Sequence, residues 1–344
     1  MKALLLTDYK KLEYTDVPEP EFGPDDLLVK VRACGICGSD IHGFDGSSGR
    51  RKPPLIMGHE ASGEVAAMGA NVRGFKLGDR VTFDSMINCG NCAFCATGDI
   101  NLCDNRQVIG VSPGEYRRHG AFAEYVTVPR RIAHKLPDTI RYEHAAMAEP
   151  VSVVVHAANL PPRQLAQTAV VVGSGMIGLL GIQALKAAGY SKVFAVDIED
   201  RKLALAKELG ADEGFNSKTT DAPAEIRERT GGRGADLAME CVGATAPVET
   251  AIQSVRKGGY VTLVGNITPR IDFNLQSVVT REISLYGSCA SSGEYPQCIE
   301  MIANGTIKVQ PIISALAPLS EGAGWFDRLY DHDPDLMKVI LQPA

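Results

Sequence analysis

A glycine-rich turn between an apolar run and an apolar helix pattern most constrains how this chain can fold. The run Thr168–Val172 is followed by Gly173-Ser174-Gly175-Met176-Ile177-Gly178, and apolar residues at helical spacing continue to about Ala188. This G-x-G-x-x-G order, after a strand and before a helix, is typical of a parallel sheet that binds a dinucleotide. The alternative is a purely structural turn.

The three glycines would have separate roles in such a turn. Gly173 would allow the tight turn, and Gly175 would let a pyrophosphate approach the backbone at a helix N-terminus. Gly178 would let the helix pack closely on the strand. We therefore predict that cofactor binding at this turn involves Gly173, Gly175, Met176, Ile177 and Gly178.

Strands and helices alternate beyond the turn. Residues 192–197, 234–240 and 260–265 have strand character, and residues 199–210 have helical periodicity. This alternation predicts a doubly wound parallel sheet, whose ligands bind beyond the carboxyl ends of its strands. The residues at the ends of the strands 234–240 and 260–265 are predicted to hold nicotinamide and ribose through their backbone: Cys241, Val242, Val264, Gly265 and Asn266.

Asp197 ends the second of these strands, about 20 residues after the glycines. A carboxylate there can accept hydrogen bonds from ribose hydroxyls and would repel a 2′-phosphate, which favours NAD over NADP. Arg201 and Lys202 follow closely, and either could meet a phosphate, so NADP stays open. Lys202 is included in the predicted cofactor site, and a helix-capping role for Asp197 is the alternative.

The first 150 or so residues are rich in Gly, Pro and short β-branched runs, which predicts a β-rich domain with long loops. Within it, Cys89, Cys92, Cys95 and Cys103 form C-x2-C-x2-C-x7-C. Four thiolates at this spacing suit a closed, structural zinc site. An iron–sulfur cluster on the same thiolates, or four unliganded thiols, are the alternatives.

A second set of metal-ligand types is spread over two Gly-rich segments. Cys37, His59 and Glu60 offer a thiolate, an imidazole and a carboxylate, and an open fourth position is the pattern of catalytic zinc. Asp40 is predicted to orient His59 through its second ring nitrogen. Cys34 also makes C-x2-C with Cys37, but no further C-x2-C completes an all-thiolate site, so it is interpreted as a small buried residue.

Taken together, these motifs resemble the zinc-dependent medium-chain dehydrogenases, the group of alcohol, sorbitol and threonine dehydrogenases. Gly58-His59-Glu60-x2-Gly63-x5-Gly69-x2-Val72 matches the family's zinc signature, and the resemblance runs the whole length. It implies a GroES-like catalytic domain of residues 1–153 and 290–344 and a Rossmann NAD-binding domain of residues 154–289. It also implies a cleft between them with catalytic zinc at its base, two Zn²⁺ per chain, NAD, and a homo-oligomer, either a tetramer or a dimer.

The segment Ala148-Glu149-Pro150 indicates the subfamily. Alcohol dehydrogenases usually have Cys where this chain has Glu149, and the Glu-Pro pair resembles sorbitol and related polyol dehydrogenases. The resemblance implies a zinc held by Cys37, His59 and Glu60, with Glu149 as a ligand or bound through water. Residues 286–294 lack the Arg-Tyr pair of the mammalian sorbitol enzymes, which leaves the polyol undefined.

The resemblance also implies a route for the proton of the alcohol. Ser39 would hydrogen-bond the substrate hydroxyl, and His42 would carry the proton outward through the cofactor ribose. Histidine side chains change charge near neutral pH, which suits a relay. The alternative for His42 is a surface loop histidine.

Composition excludes several other functions. The chain has 344 residues, a formal charge of -6 and no long block of Lys or Arg, so nucleic acid is not an expected partner. No apolar run is long enough for a membrane span, and no full signal-peptide pattern appears, so we expect a cytoplasmic protein. Four of the nine cysteines crowd between Cys89 and Cys103, which in such a protein favours metal binding over disulfides. The remaining alternatives are a threonine, sugar-phosphate or simple alcohol dehydrogenase, and a non-catalytic NAD(P)-binding protein. Arg50-Arg51-Lys52 and Arg117-Arg118 could flank loops of the cleft, so a phosphate-binding pocket remains an alternative.

Overall fold

The computed structural model of the chain describes residues 1–112, 114, 116–162 and 167–344. The chain divides into two compact units. The first comprises Met1–Glu149, Tyr295–Asn304 and Val309–Ala344, and the second comprises Pro150–Glu294 and Gly305–Lys308. No helix in the described residues is long and apolar enough to cross a membrane.

The strands of the described residues are β1 (Lys2–Asp8), β2 (Lys11–Asp16), β3 (Asp26–Gly35), β4 (Leu55–Ile56), β5 (Glu60–Met68), β6 (Arg80–Phe83), β7 (Met86–Ile87), β8 (Gln107–Val108), β9 (Tyr125–Pro129), β10 (Ala133–Lys135), β11 (Thr168–Val172), β12 (Lys192–Asp197), β13 (Glu213–Asn216), β14 (Ala235–Glu240), β15 (Val255–Leu263), β16 (Ser284–Gly287), β17 (Ile313–Pro318) and β18 (Lys338–Gln342).

The helices of the same residues are α1 (Gly38–Phe44), α2 (Ala93–Thr97), α3 (Tyr142–Ala145), α4 (Ala148–Asn159), α5 (Met176–Ala187), α6 (Asp200–Glu208), α7 (Ala222–Arg229), α8 (Thr245–Ser254), α9 (Leu275–Val279), α10 (Tyr295–Ala303) and α11 (Gly322–Tyr330). Short 3₁₀ turns lie at Ile100–Leu102, Arg130–Ile132, Gln310–Ile312 and Leu319–Glu321.

The first unit is β-rich. Its main sheet has the order β10-β6-β5-β3-β18-β17, with β9 also paired to β3, and β2-β1-β4 and β7-β8 form smaller sheets. β18 pairs with β3, so the last strand of the chain lies beside one of the first. Strand residues that alternate inward and the rings of Phe44, Phe122 and Phe326 form its core.

The second unit has one sheet of the order β13-β12-β11-β14-β15-β16, in which all neighbours are parallel. Counted along the chain, the order of these six strands is 3-2-1-4-5-6, which reverses direction at β11. Val170, Phe194 and Val261 are fully buried on these strands, as the near-continuous apolar runs require. The structure confirms the predicted doubly wound parallel sheet and the predicted β-rich domain.

The units change over at Glu149/Pro150, within α4, at Glu294/Tyr295, just before α10, and again at Asn304/Gly305 and Lys308/Val309. The predicted domain bounds, at 153/154 and 289/290, lie within about five residues of the first two positions. Gly305–Lys308 belongs to the second unit, whereas the prediction placed it in the first. The catalytic role of the first predicted domain and the NAD-binding role of the second stay predictions.

Candidate functional site

The pairing of β3 with β5 brings the second set of predicted metal ligands together. Gly35, the last residue of β3, pairs with Glu60, the first residue of β5. Cys37 follows β3 by two residues, and His59 immediately precedes β5. Two segments that are separated in sequence therefore deliver three ligand-type side chains to one end of the same strand pair.

Cys37, His59 and Glu60 each offer a ligand atom, and these atoms lie within 4.8 Å of one another. His59 and Glu60 are buried and Cys37 is partly buried. The Oε1 atom of Glu60 is buried and has no hydrogen-bond partner among the described residues. An unsatisfied buried carboxylate oxygen beside a thiol and an imidazole fits a zinc ion.

Asp40 lies behind His59, as the sequence predicts. Its Oδ1 atom is 3.3 Å from His59 Nδ1, and its Oδ2 atom accepts the Cys37 backbone N–H at 3.2 Å. Burial alone would raise the pKa of Asp40, but His59 and Arg51 bring it down to about 2. An ionised Asp40 this close to Nδ1 favours the tautomer that carries its proton on Nδ1, which leaves Nε2 of His59 for a metal.

Lys338 is a site residue that the sequence does not indicate. Its Nζ donates to Glu60 Oε2 at 2.5 Å and to Ile36 O at 2.8 Å, and it is 1% exposed. A Cβ at Gly35 would lie 2.3 Å from Glu60 Oε2, so only glycine leaves room for this carboxylate. Lys338 therefore fixes one oxygen of Glu60 and leaves the other towards Cys37 and His59.

Glu149 lies in the first turn of α4 and is not among the three residues whose ligand atoms cluster. Burial, and then the negative charge of Glu60, raise the pKa of Glu149 to about 7. The electrostatic influence of Glu60 and His59 indicates that the Glu149 carboxyl belongs to the same buried region. Its position fits a group that acts beside a metal rather than in its first ligand set.

The two predicted proton-transfer residues differ in placement. Ser39 Oγ lies 3.3 Å from Cys37 Sγ and 3.5 Å from His59 Nε2, so it borders the ligand atoms. His42 is exposed on α1, with its Nδ1 atom 3.4 Å from Ser47 Oγ. The structure thus brings Ser39, but not His42, to the ligand cluster.

The four predicted thiolates also converge. The Sγ atoms of Cys89, Cys92, Cys95 and Cys103 lie within 4.8 Å of one another. Cys103 Sγ accepts the backbone N–H of Cys89 at 3.2 Å, and the N–H of Asn91 is the main cause that lowers the pKa of Cys89 to about 6. Backbone donors that favour thiolates, with four sulfurs and no open side, fit a closed zinc site.

The glycine turn has the geometry that its sequence predicts. Gly173 has φ +92°, which side-chain-bearing residues rarely adopt. A Cβ at Gly178 would lie 1.8 Å from Gly173 O, so α5 packs directly on the end of β11. A Cβ at Gly175 would meet nothing within 4 Å, and Met176 and Ile177 open α5. The free space in front of an exposed helix N-terminus suits a pyrophosphate.

Asp197 fastens the turn to the second strand. Its Oδ2 accepts the Ser174 N–H at 2.6 Å, and its Oδ1 accepts the N–H groups of Ile198 at 2.7 Å and Glu199 at 3.0 Å. Each carboxylate oxygen has two lone pairs, so Oδ1 is fully used and Oδ2 keeps one lone pair for a ribose hydroxyl. The N-cap residue of α6 is Glu199, so Asp197 does not cap this helix, and the ribose role stays a prediction.

The cations next to Asp197 are both close to Glu199. Lys202 Nζ lies 2.7 Å from Glu199 Oε1, and Arg201 Nη2 lies 4.0 Å from Glu199 Oε2. Glu199 was not a predicted site residue. Its carboxylate offsets the positive charge that would otherwise favour a 2′-phosphate.

The turns after β14 and β15 lie side by side. A Cβ at Gly265 would be 2.2 Å from Gly243 N, and Glu240 Oε1 accepts the N–H groups of Val242 and Gly243. The predicted residues of these turns, Cys241, Val242, Val264, Gly265 and Asn266, therefore present backbone at the carboxyl edge of the sheet. Burial, and then Glu240, raise the pKa of the Cys241 thiol, which suits a packed residue.

Several of the basic residues that were candidates for a phosphate-binding pocket have other partners. Arg51 is buried and pairs with Asp40 at 3.2 Å, so it does not flank an open loop. Lys52 donates to Gly114 O, and Arg118 lies 3.6 Å from Asp26. These contacts join residues far apart in sequence, and neither spacing nor periodicity could have indicated them.

Sequence models of two families match the chain. The alcohol dehydrogenase GroES-like domain matches residues 23–138, and the zinc-binding dehydrogenase domain matches residues 177–304. These matches cover more than half of the chain and confirm the GroES-like and Rossmann assignment.

Relatives of known name match along nearly the whole chain. A sorbitol dehydrogenase of Bacillus subtilis is 34% identical, over 100% of this chain and 97% of that protein. A D-arabitol-phosphate dehydrogenase of Enterococcus avium is 35% identical, over 97% and 94%. A candidate zinc-binding dehydrogenase of Sinorhizobium meliloti 1021, solved with bound NADP, has a TM-score of 0.91 at 32% identity, over 99% of both chains.

The resemblance inferred from the motifs is thereby confirmed. Identity above 30% over the full length, with both family domains in order, leaves no room for a chance likeness. The chain belongs to the zinc-binding dehydrogenase family with an alcohol dehydrogenase GroES-like domain, and it is an oxidoreductase.

Proposed function

We propose that the protein oxidises a secondary alcohol of a polyol reversibly, with zinc and NAD. Residues 1–153 and 290–344 would form the catalytic domain, and residues 154–289 the NAD-binding domain. The observation that carries the proposal is the cluster of Cys37, His59 and Glu60, whose ligand atoms lie within 4.8 Å of one another.

Cys37, His59 and Glu60 are the proposed ligands of the catalytic zinc. A zinc ion held there supplies a Lewis acid for the substrate hydroxyl oxygen. Asp40 orients His59, and Lys338 holds one oxygen of Glu60 in place. We assign Glu149 a position next to the metal, as an exchanging ligand or through a water molecule.

Ser39 is the proposed acceptor of the substrate proton, because its hydroxyl borders the ligand atoms Cys37 Sγ and His59 Nε2. His42 lies on the same short helix and is exposed, so it would pass the proton on to solvent. A bound nicotinamide would supply the acceptor for the hydride on the carbon that bears the substrate hydroxyl.

The cofactor is a nicotinamide dinucleotide on the glycine turn of Gly173, Gly175 and Gly178. NAD is the proposed form because Asp197 closes the second strand and Glu199 offsets Arg201 and Lys202. The Sinorhizobium meliloti structure contains NADP, so this choice depends on these side chains and not on the relatives.

A polyol is the proposed substrate because the Bacillus subtilis relative is a sorbitol dehydrogenase and Glu149 stands beside the metal ligands. A sugar phosphate is the second candidate, since the Enterococcus avium relative is a D-arabitol-phosphate dehydrogenase. The structure favours it less, because Arg51 pairs with Asp40 and Arg118 lies near Asp26.

Cys89, Cys92, Cys95 and Cys103 would hold a second zinc ion, with a structural role, because protein sulfurs fill all four positions. All nine cysteines lie in the described part of the chain and none of them forms a disulfide, which fits a reducing compartment such as the cytoplasm. A homo-oligomer, either a tetramer or a dimer, is proposed from the family alone.

A screen of sugar alcohols, sugar alcohol phosphates, amino alcohols and simple alcohols tests the function. Each compound is supplied with NAD and separately with NADP, and absorbance of the reduced cofactor is followed. We expect turnover on at least one unphosphorylated polyol, with NAD preferred. Turnover confined to phosphorylated compounds, or a clear preference for NADP, would replace the corresponding part of the proposal.

A further inference from the structure

Arg51 is a buried cation next to the metal-ligand cluster. It is 4% exposed, and its Nη2 atom donates to Ser39 Oγ at 3.0 Å and to Asp40 Oδ1 at 3.2 Å. Its Nε atom is buried with no hydrogen-bond partner in the described part of the chain. An interior cation with an unmade hydrogen bond costs free energy, so a stabilising role alone does not explain this residue.

The stem of Arg51 is held as firmly as its guanidinium. A Cβ at Gly43 on α1 would lie 2.6 Å from Arg51 Cγ and 2.7 Å from its Cδ. A glycine on the buried face of the helix therefore leaves the space that the arginine fills. Asp40, which is fully buried, fixes the other end.

The contact with Ser39 restricts how that hydroxyl can be used. An arginine has only donors, so Ser39 Oγ must accept from it, and the single hydroxyl hydrogen must point elsewhere. The other neighbours of Oγ are Cys37 Sγ at 3.3 Å and His59 Nε2 at 3.5 Å. Arg51 thus turns the hydrogen and the second lone pair of Ser39 away from itself, towards the ligand atoms.

We propose that Arg51 is a positioning residue that orients Ser39 for transfer of the substrate proton. The inference rests on the proposed function, because it assumes that Ser39 carries this proton. The substrate hydroxyl gives its proton to Ser39 Oγ while the proton that Ser39 already carried leaves towards solvent. Ser39 therefore ends the step neutral. If the Ser39 proton leaves before the substrate proton arrives, Oγ gains negative charge, which the nearby Arg51 guanidinium stabilises.

A double-mutant cycle with Arg51→Met and Ser39→Ala tests the inference. Loss of a hydrogen bond from a charged donor lowers kcat of Arg51→Met by about 10- to 100-fold, and loss of the relay hydroxyl lowers kcat of Ser39→Ala by about 100-fold. If Arg51 acts through Ser39, the double variant has the kcat of Ser39→Ala, within about threefold. KM and the zinc content per chain are expected to stay close to the wild type in all three.

Two further variants serve as controls. Arg50→Met removes the exposed neighbouring arginine and is expected to leave kcat unchanged. Arg51→Lys keeps the charge but not the planar geometry, so its kcat should be within roughly tenfold of the wild-type kcat. If Arg51→Met does not fold, Arg51→Lys replaces it in the double-mutant cycle with Ser39→Ala.

The outcomes separate the inference from the function it rests on. An Arg51 substitution that lowers kcat by the same factor with and without Ser39, or that acts by removing zinc, would overturn the role of Arg51 alone. An unchanged kcat in Ser39→Ala would reject the proton route and the inference with it. Full activity of Arg51→Met beside a slow Ser39→Ala would reject the inference and keep the route.

Discussion

At the scale of single residues, the carboxyl groups of Glu60 and Glu149 differ in placement, since Glu60 is buried and Glu149 is partly buried. Glu60 accepts from Lys338 and belongs to the ligand cluster with Cys37 and His59, whereas Glu149 is not among the residues whose ligand atoms cluster. A carboxylate that accepts a charged donor on one oxygen holds the direction of its other oxygen. This difference favours Glu60 over Glu149 as the direct ligand.

The choice between NAD and NADP is also decided by side chains. Replacement of Glu199 by Gln removes the carboxylate that offsets Lys202 and Arg201. We expect the ratio of kcat/KM for NADP to that for NAD to rise about tenfold, because about 1.4 kcal/mol of new attraction to a 2′-phosphate corresponds to this factor.

Glu208→Gln is the matched control, since Glu208 is exposed at the other end of α6. Steady-state kinetics with both cofactors measure the ratio. An unchanged ratio in Glu199→Gln, or an equal rise in Glu208→Gln, would show that Glu199 has no specific part in the choice.

Sequence reasoning identified these residues unevenly. The four thiols and the glycine turn are local motifs, so spacing alone predicted which side chains would meet. Lys338 and Arg51 were not predicted as site residues, because only the strand pairing of β18 with β3 and the fold of the loop after α1 bring them there. A lysine or arginine in isolation gives no sign of an interior partner.

At the scale of elements, the ends of β11 and β14 are joined by one carboxylate. Asp236 accepts the Thr168 N–H at 2.8 Å and the Thr168 hydroxyl at 3.1 Å, and Arg256 Nε donates to it at 2.7 Å. Burial would raise the pKa of Asp236, but Arg256 and Thr168 lower it overall. This carboxylate thus fastens the two central strands that carry the glycine turn and the Val242 turn.

Asp236→Asn is expected to lower the free energy of unfolding of the second unit by about 1–2 kcal/mol at neutral pH. A lowered pKa in the folded state means that the charged form contributes stability above the unfolded pKa of about 3.9. That contribution disappears as the pH falls through the lower folded pKa, so the two proteins should converge in strong acid.

Urea unfolding followed by circular dichroism across pH measures this difference. Asp272→Asn, at an exposed position of the same unit, is the control and should show little change. A deficit of Asp236→Asn that stays constant into strong acid would contradict an electrostatic origin.

At the scale of the whole molecule, one unit holds both predicted metal sites and the other holds the glycine turn. Alternating strands and helices predicted the parallel sheet, because each βαβ step is encoded locally. The first unit was harder to predict, since its sheet joins β18 to β3 across almost the full length of the chain. Its closing segment was expected from the family resemblance and not from any pattern in the residues.

The most direct test of the account is to measure zinc content and polyol oxidation in the same preparations of the wild type and of Cys37→Ser. The account predicts about two zinc ions per wild-type chain, one of them lost in Cys37→Ser together with at least a 100-fold fall in turnover. The melting temperature should change little, because Cys89, Cys92, Cys95 and Cys103 remain intact. Wild-type turnover in Cys37→Ser with its zinc depleted would contradict the central claim that this zinc site performs the chemistry.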